Sequence, residues 1–358
     1  MTGELTSTPG ELGADPAQGP LRLGTRRSAL ALTQSGMVAD AVTRATGRPV
    51  ELVEITTYGD VSREHLSQIG GQGVFVSALR DAVLAGRVDF AVHSLKDLPT
   101  AQPAELALAA VPEREDPRDV LVARDGLDLV QLIEKCAHEA GGRTARIGTG
   151  AARRTAQLNA YAARHGLPLE TVPIRGNVDT RIGFVRSGEL DAVVLAAAGL
   201  SRLGRLAEAT QLIEPELMLP SPGQGALAVE CRADDEDLVA ALAQLDHAPT
   251  RAAVFAERAL LGALDAGCSA PVGALATLAE NGADPVVEHP VTDRHQAGEL
   301  RLRGLVGTLD GSSVVQLSTT GTIAPDASVE AAAAAIGREL AARMLAEGAA
   351  GLMGERAQ

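Results

Sequence analysis

The chain has 358 residues, 46% of them apolar, and carries 32 Lys and Arg against 46 Asp and Glu, a formal charge of -14. It is too long for one ordinary core and suits two or three domains, and its charge repels phosphate backbones at long range, so nucleic acid is not an expected partner. With aromatics at 2% and no Trp, the cores must be Ala, Leu and Val, which fits helices packed on parallel sheets. Three cysteines make neither a disulfide framework nor a set of metal ligands, so no metal is expected and a reducing, cytoplasmic setting is. No stretch approaches ~18 uninterrupted apolar residues, so no membrane span is expected.

Residues 1–20, rich in Gly, Pro, Thr and Glu, read as a disordered tail without the basic and apolar regions of a signal peptide. A strand over 21–25 leads into a helix over 28–45, and 51–57 reads as the next strand. The Gly-rich stretch 58–73 predicts a mobile loop, 74–85 a helix, and 88–92 an apolar strand ending at His93-Ser-Leu-Lys-Asp97. The grammar then repeats with strand 146–149, helix 151–164, strand 169–174, helix 177–186 and strand 190–196. Such alternation indicates parallel sheets with βαβ crossovers. Two internal echoes support a pair of similar domains. Gly24-Thr25 followed by Arg26 matches Gly148-Thr149 followed by Arg153-Arg154, and segment 86–92 matches segment 188–194.

Segment 135–143 reads as a loop insertion without chemical content. Pro220-Ser-Pro-Gly223 reads as a crossing segment, and 227–231 as a strand returning to the first domain. Helices over 238–245, 251–264 and 329–347, with strands over 300–306 and 313–318, make the remainder α+β. The expected fold class is α/β: two similar periplasmic-binding-protein-like α/β domains around a cleft, plus a C-terminal α+β domain. The expected boundaries are 21–114 plus 224–244 for the first, 115–223 for the second and 245–358 for the third.

Helix starts bind anions through backbone N–H groups and the helix dipole, and this chain places arginines at several. Arg26 precedes Ser28, Arg153 and Arg154 follow Gly148-Thr149, Arg175 and Arg181 bracket a helix start, and Arg202 follows the strand ending at Ala196. Guanidinium forks suit carboxylates and phosphates. Gathered at strand C-termini, where α/β sheets bind ligands, they predict a polyanionic ligand. Asp97, beside Lys96 at the end of an apolar strand, could stabilise a cation developing on that ligand or shuttle a proton. His93 reads as a hydrogen-bonded structural residue, and Cys136 and Cys231 as inert. Cys268, in a loop flanked by Gly, Ser and Pro, is placed for covalent attachment.

Several segments occur in order: Gly24-Thr-Arg-Arg-Ser-Ala-Leu-Ala-Leu-Thr-Gln34, Gly70-Gly-Gln-Gly-Val-Phe75, Ala91-Val-His-Ser-Leu-Lys-Asp-Leu-Pro99, Arg175-Gly-Asn-Val-Asp-Thr-Arg181, Ala197-Ala-Gly-Leu-Ser-Arg202, Pro222-Gly-Gln-Gly225 and Gly267-Cys-Ser-Ala-Pro271. Together they closely resemble the porphobilinogen deaminase (hydroxymethylbilane synthase) family from about residue 21 to the last helix. The resemblance implies a dipyrromethane cofactor held by a thioether to Cys268. It also implies that Arg26, Arg153, Arg154, Arg175, Arg181 and Arg202 bind acetate and propionate groups, with Ser28 and Lys96 assisting, and that Asp97 is the catalytic carboxylate. Phe75 could pack on a pyrrole ring. The implied reaction deaminates four porphobilinogen molecules, condenses them head to tail on the primer, and releases hydroxymethylbilane by hydrolysis. The expected partner is the small-molecule substrate alone, with the protein a monomer.

Two departures from the family stand out. Gly150-Ala151-Ala152 replaces a turn that is often serine-rich, and Gln68 and Gln72 are neutral where lysines are frequent. Two rival readings are a non-enzymatic carboxylate-binding protein and a degenerate pyrrole-binding relative. A third domain presenting a thiol argues against the first, and retention of both Asp97 and Cys268 against the second.

Overall fold

The computed structural model describes residues 19–56, 76–139, 141–267, 270–279, 298–324 and 328–353. Residues 1–18 of the expected tail, the glycine-rich loop with Gln68, Gln72 and Phe75, and Cys268 lie outside the described residues. The first stretch runs β1 (Leu21–Thr25), α1 (Ala29–Thr46), β2 (Val50–Glu54), α2 (Ser77–Leu84), β3 (Phe90–Ser94) and β4 (Leu106–Ala110). The second runs β5 (Asp119–Ala123), α3 (Leu129–His138), β6 (Ala145–Thr149), α4 (Ala152–His165), β7 (Leu169–Pro173), α5 (Val178–Arg186), β8 (Ala192–Ala196), α6 (Ala197–Arg202) and β9 (Gln211–Ile213). The third comprises β10 (Leu227–Arg232), α7 (Glu236–Leu242), α8 (Ala248–Ala263), β11 (Val272–Ala279), β12 (Gly298–Gly307), β13 (Val314–Ile323), α9 (Val329–Ala346) and α10 (Ala349–Leu352).

Two five-stranded sheets share one topology, with orders β2-β1-β3-β10-β4 and β7-β6-β8-β5-β9. In each, the first three strands are parallel and the fourth is antiparallel to its neighbours. β10 does return to the first sheet, as expected from 227–231. The internal echoes have a structural counterpart. Asp89 accepts from Arg22 N at 2.7 Å while its own N–H bonds Arg22 O; Asp191 repeats this with Arg146 N at 2.9 Å and Arg146 O. Gly86 and Gly188 enter the two turns with φ of 65° and 76°. These carboxylates tie the start of β3 to β1 and the start of β8 to β6. Strand character therefore begins after them, later than the apolar runs 88–92 and 190–196 suggest.

Segment 135–143 is not a loop without chemistry. Asp128 and Gln131 form a capping box that starts α3, and Leu129, Leu132, Ile133 and Cys136 bury one face of it, so the helix continues through His138. Its exit carries Arg143, bidentate on Asp191 at 2.6 and 2.7 Å, and Glu139, which pairs with Arg124. The third domain has a three-stranded antiparallel sheet, β11-β12-β13, backed by α8 and α9. Its first strand carries little sequence signal because it is Ala- and Leu-rich, with few β-branched residues. The two helices lie close because α9 offers Gly337 at the crossing, where a Cβ would meet Ala256 O at 2.3 Å.

Two crossovers join the lobes: the chain from β4 to β5 and the chain from β9 to β10. Glu257 of α8, with no exposed surface, binds both. It takes the Arg114 guanidinium at 2.8 and 3.0 Å, the Gly223 N–H at 2.7 Å and the Ala276 N–H at 2.8 Å. Gly225 brings the crossovers together at φ 89°, where a Cβ would sit 2.4 Å from Glu115 O. Breaking a buried pair strands the remaining charge, so Glu257→Ala should lower stability by about 3–5 kcal/mol. Chemical denaturation checks this; a loss below about 1 kcal/mol would mean that Glu257 does not hold the crossovers.

Candidate active site

Parallel strands place their C-termini at one sheet edge, and that edge carries the predicted residues. In the first lobe β1 ends before Arg26, and β3 ends in the 3-10 turn Leu95–Asp97. In the second, β6 feeds α4 with Arg153 and Arg154 in its first turn, β7 precedes Arg175 and Arg181, and β8 feeds α6, which ends at Arg202. The edges approach one another across the crossovers. Gly199 of α6 comes within 3.9 Å of Leu30 on α1, counting from an added Cβ.

The centre of the second edge is Asp119, the first residue of β5 and fully buried. It accepts from Arg153 Nη1 at 2.7 Å, Arg154 Nε and Nη2 at 3.1 and 2.8 Å, and Gln224 Nε2 at 2.8 Å. Burial would raise the Asp119 carboxyl, but Arg153 and Arg154 overcome it and hold it well below the usual carboxylate range. Arg154 bonds through all three of its nitrogens, its Nη1 donating to Val194 O at 2.8 Å. Among the described residues Arg153 bonds only through Nη1, which also reaches Leu219 O at 2.6 Å. Arg181 donates Nε to Gly176 O at 2.9 Å and forms no ion pair among the described residues. Burial lowers the pKa of Arg181, and the like charge of Arg154 adds to the effect. Arg202 donates to Gly225 O at 2.6 Å, while its buried Nε has no partner among the described residues.

Lys96 reaches the same cluster from the first lobe, with Nζ 3.4 Å from Gln224 Oε1. Burial pushes its ammonium down to about 8; Asp97 and Asp119 oppose the shift and Arg154 and Arg153 add to it. Asp97 is exposed and lines a cavity of about 40 Å³ together with Arg26, Gln34, His93 and Ser94. His93 is buried, its Nε2 3.3 Å from Glu230. Glu230 is itself bidentate on Arg80 at 2.7 and 3.0 Å, and His93 and Arg80 pull it to about 2 against its burial. Ser28 caps α1, its Oγ accepting from Ala31 N at 3.3 Å, which leaves the hydroxyl hydrogen to donate. Arg175 is half-buried just past Ile174. Helix α4 starts at Ala152, and its N-cap Ala151 supplies no side-chain cap, although Thr149 Oγ1 accepts from Ala151 N at 3.2 Å.

Thus the structure brings Lys96, Arg153 and Arg154 around one carboxylate, Arg181 close enough to Arg154 to feel its charge, and Arg26 to a cavity with Asp97. Sequence reasoning missed Asp119, Gln224, Glu257 and Arg258. For Asp119 the available signal was an acid heading the apolar run Asp119–Ala123. Cys136 and Cys231 are buried free thiols, and burial raises the latter to about 12.

Two matched lobes meeting at a cationic edge, with a carboxylate on the rim, define an enzyme that handles a carboxylate-rich small molecule. Residues 21–240 match the profile described as "Porphobilinogen deaminase, dipyromethane cofactor binding domain", and residues 251–346 that of "Porphobilinogen deaminase, C-terminal domain". Porphobilinogen deaminase 1 of Streptomyces avermitilis is 68% identical over 94% of this chain and 98% of its own length. Porphobilinogen deaminase 1 of Streptomyces coelicolor is 67% identical over 94% and 98%, and the porphobilinogen deaminase of Thermobifida fusca 53% over 92% and 94%. The chain belongs to the porphobilinogen deaminase family. Its activity is the stepwise deamination and condensation of porphobilinogen on a dipyrromethane primer, with release of hydroxymethylbilane.

Because the Lys96 ammonium titrates near 8 in the folded protein against 10.5 unperturbed, its charge is present below that pH and lost above it. The fall in kcat/KM for porphobilinogen between pH 8 and 9.5 should therefore be larger in the wild type than in Lys96→Arg, which stays charged. Equal profiles would remove Lys96 as the titrating group.

Proposed function

We propose that Asp97 is the catalytic carboxylate and that Cys268 carries the dipyrromethane through a thioether. In this reading Arg26, Ser28, Lys96, Arg153, Arg154, Arg175, Arg181 and Arg202 hold the acetate and propionate groups of cofactor and substrate. The observation that supports it is a surplus of cation. Arg153, Arg154 and Lys96 gather around Asp119, Arg181 is buried near Arg154 with no ion pair among the described residues, and Arg202 has a buried Nε without a partner among them. Unclaimed guanidinium donors and an uncapped helix start suit pyrroles that each carry an acetate and a propionate. The fit is uneven across the set. Arg153, Arg181 and Arg202 retain donors for a ligand, Arg154 serves Asp119 and Val194, and Ser28 can donate while capping α1.

When bound, the dipyrromethane supplies the nucleophilic pyrrole carbon. The chain's own residues do the rest. The arginines orient the substrate's carboxylates, so that its aminomethyl group lies at the rim formed by the turn Leu95–Asp97. As the carbon–nitrogen bond breaks, its electron pair leaves with ammonia and positive charge develops on the pyrrole nitrogen. The Asp97 carboxylate stabilises that charge and accepts the proton released afterwards. Phe75 is read as packing on a pyrrole. The same reading divides the chain into 21–114 plus 224–244, 115–223 and 245–358, and has it act as a cytoplasmic monomer. No helix of the described residues is long and apolar enough to cross a membrane.

Intact mass under denaturing conditions tests the anchor: the wild type should carry the added mass of a dipyrromethane and Cys268→Ser should not. An unmodified wild type after incubation with porphobilinogen would refute the covalent cofactor. Asp97→Asn should keep the added mass and lose on the order of 10²-fold or more in kcat; a near-normal rate would remove Asp97 as the catalytic group.

A further inference from the structure

We propose that Arg258, on α8 of the third domain, is a positioning residue for the turn that presents Lys96 and Asp97. The inference rests on the reading of Asp97 given above. Arg258 Nη1 donates to Leu95 O at 3.3 Å and Leu98 O at 2.9 Å, and Nη2 to Pro99 O at 2.7 Å. The carbonyls at the end of a short helical turn lack intrahelical donors and carry partial negative charge. Leu95 O is the exception, accepting from Leu98 N at 3.2 Å within the turn; one guanidinium bonds all three carbonyls in a rigid fork, which a lysine cannot reproduce.

Apolar packing locks the same contact. Leu95 and Leu98, which flank Lys96 and Asp97, are buried with Val254 of α8. Further along the helix, an added Cβ on Gly262 would lie 3.5 Å from Thr100. On the other side, Leu95 N donates to Ala226 O at 3.0 Å and Gly223 packs against Leu95. The backbone of the turn is thus gripped from two sides, while the Asp97 side chain stays exposed. The preceding residue of α8, Glu257, holds both crossovers. The helix ends at Ala263, and the chain continues from it to Gly267, next to Cys268. One helix therefore sets the backbone beneath Asp97 in the same frame as the approach to the attachment residue.

The test uses the full-length holoenzyme with Arg258→Gln, Arg258→Lys, Asp97→Asn and, as a control on the same helix, Arg251→Gln. Arg251 also donates to backbone carbonyls, Leu108 O and Ala109 O, but on β4 rather than on the turn. The readouts are dipyrromethane mass, kcat, KM for porphobilinogen and thermal midpoint. Arg258→Gln should keep the added mass, keep KM within about twofold, and lose on the order of 10- to 100-fold in kcat. Arg258→Lys should recover part of that loss, and Arg251→Gln should lower the midpoint without moving kcat. Wild-type kcat in Arg258→Gln, or an equal kcat loss in Arg251→Gln, would overturn the proposal. Should Arg258→Gln not fold, Arg258→Lys decides: reduced kcat at unchanged KM supports the role, and wild-type kcat overturns it. A normal rate in Asp97→Asn would overturn the reading of Asp97 itself. A slow Asp97→Asn beside a fast Arg258→Gln would overturn the positioning role alone.

Discussion

Asp119 is a carboxylate with no exposed surface, and two arginines, a glutamine and a neighbouring lysine are arranged around it. A lone buried anion would be costly, and so would two buried guanidinium groups. Each makes the other tolerable, and the geometry follows. Arg153 and Arg154 come from the start of α4, Asp119 from the end of one crossover and Gln224 from the other. Lys96 joins from the first lobe. The cluster therefore fixes the second lobe's sheet edge relative to both crossovers before any ligand is considered. It also leaves an excess of positive charge, because one carboxylate faces several cations. A site balanced internally would have little use for an anionic ligand.

That excess sits inside a chain of formal charge -14, so the cleft and the surface have opposite signs. In an enclosed site charges are screened less than on the surface, and a small anion feels the local arginines more than the distant acids. A long polyanion such as a nucleic acid would have to lie across the acidic exterior as well. The charge distribution selects for ligands small enough to enter. The alanine-bearing start of α4 fits this picture. Ala151 gives no side-chain cap, so no N-cap hydroxyl competes with a carboxylate for the positive end of the helix dipole.

Much of the fold was legible because it is local and repeated. The strand-turn-helix grammar, the helix starts at Ser28 and Asn177 and the echoed segments 86–92 and 188–194 depend on residues close in sequence, or on one motif used twice. What was not legible depends on distant partners. Asp119 sits in the charged run Arg114-Glu-Asp-Pro-Arg-Asp119 and reads as a surface acid until residues 153, 154 and 224 close over it. Arg154 reads as a ligand arginine, and its commitment to Asp119 and Val194 O appears only in three dimensions. Helix α3 was missed at 135–143 because its polar face was mistaken for a loop. The Ala- and Leu-rich β11 lacked β-branched residues enough to signal a strand.

Glu257 and Arg258 show why the third domain is more than a carrier of a thiol. Neighbouring residues on a helix point about 100° apart, so consecutive charged side chains can serve different neighbours. Here the acid takes the crossovers and the base takes the turn beside Asp97. Neither bond lies between two surface side chains, where an ion pair contributes little. One closes over a buried guanidinium and the other over backbone carbonyls, and in both the alternative is an unsatisfied polar group. The consequence is mechanical. A shift of α8 would move the hinge chains and the Asp97 turn together, because both are bonded to the same helical turn. The Asp97 turn is therefore referenced to the third domain as much as to the sheet that carries it.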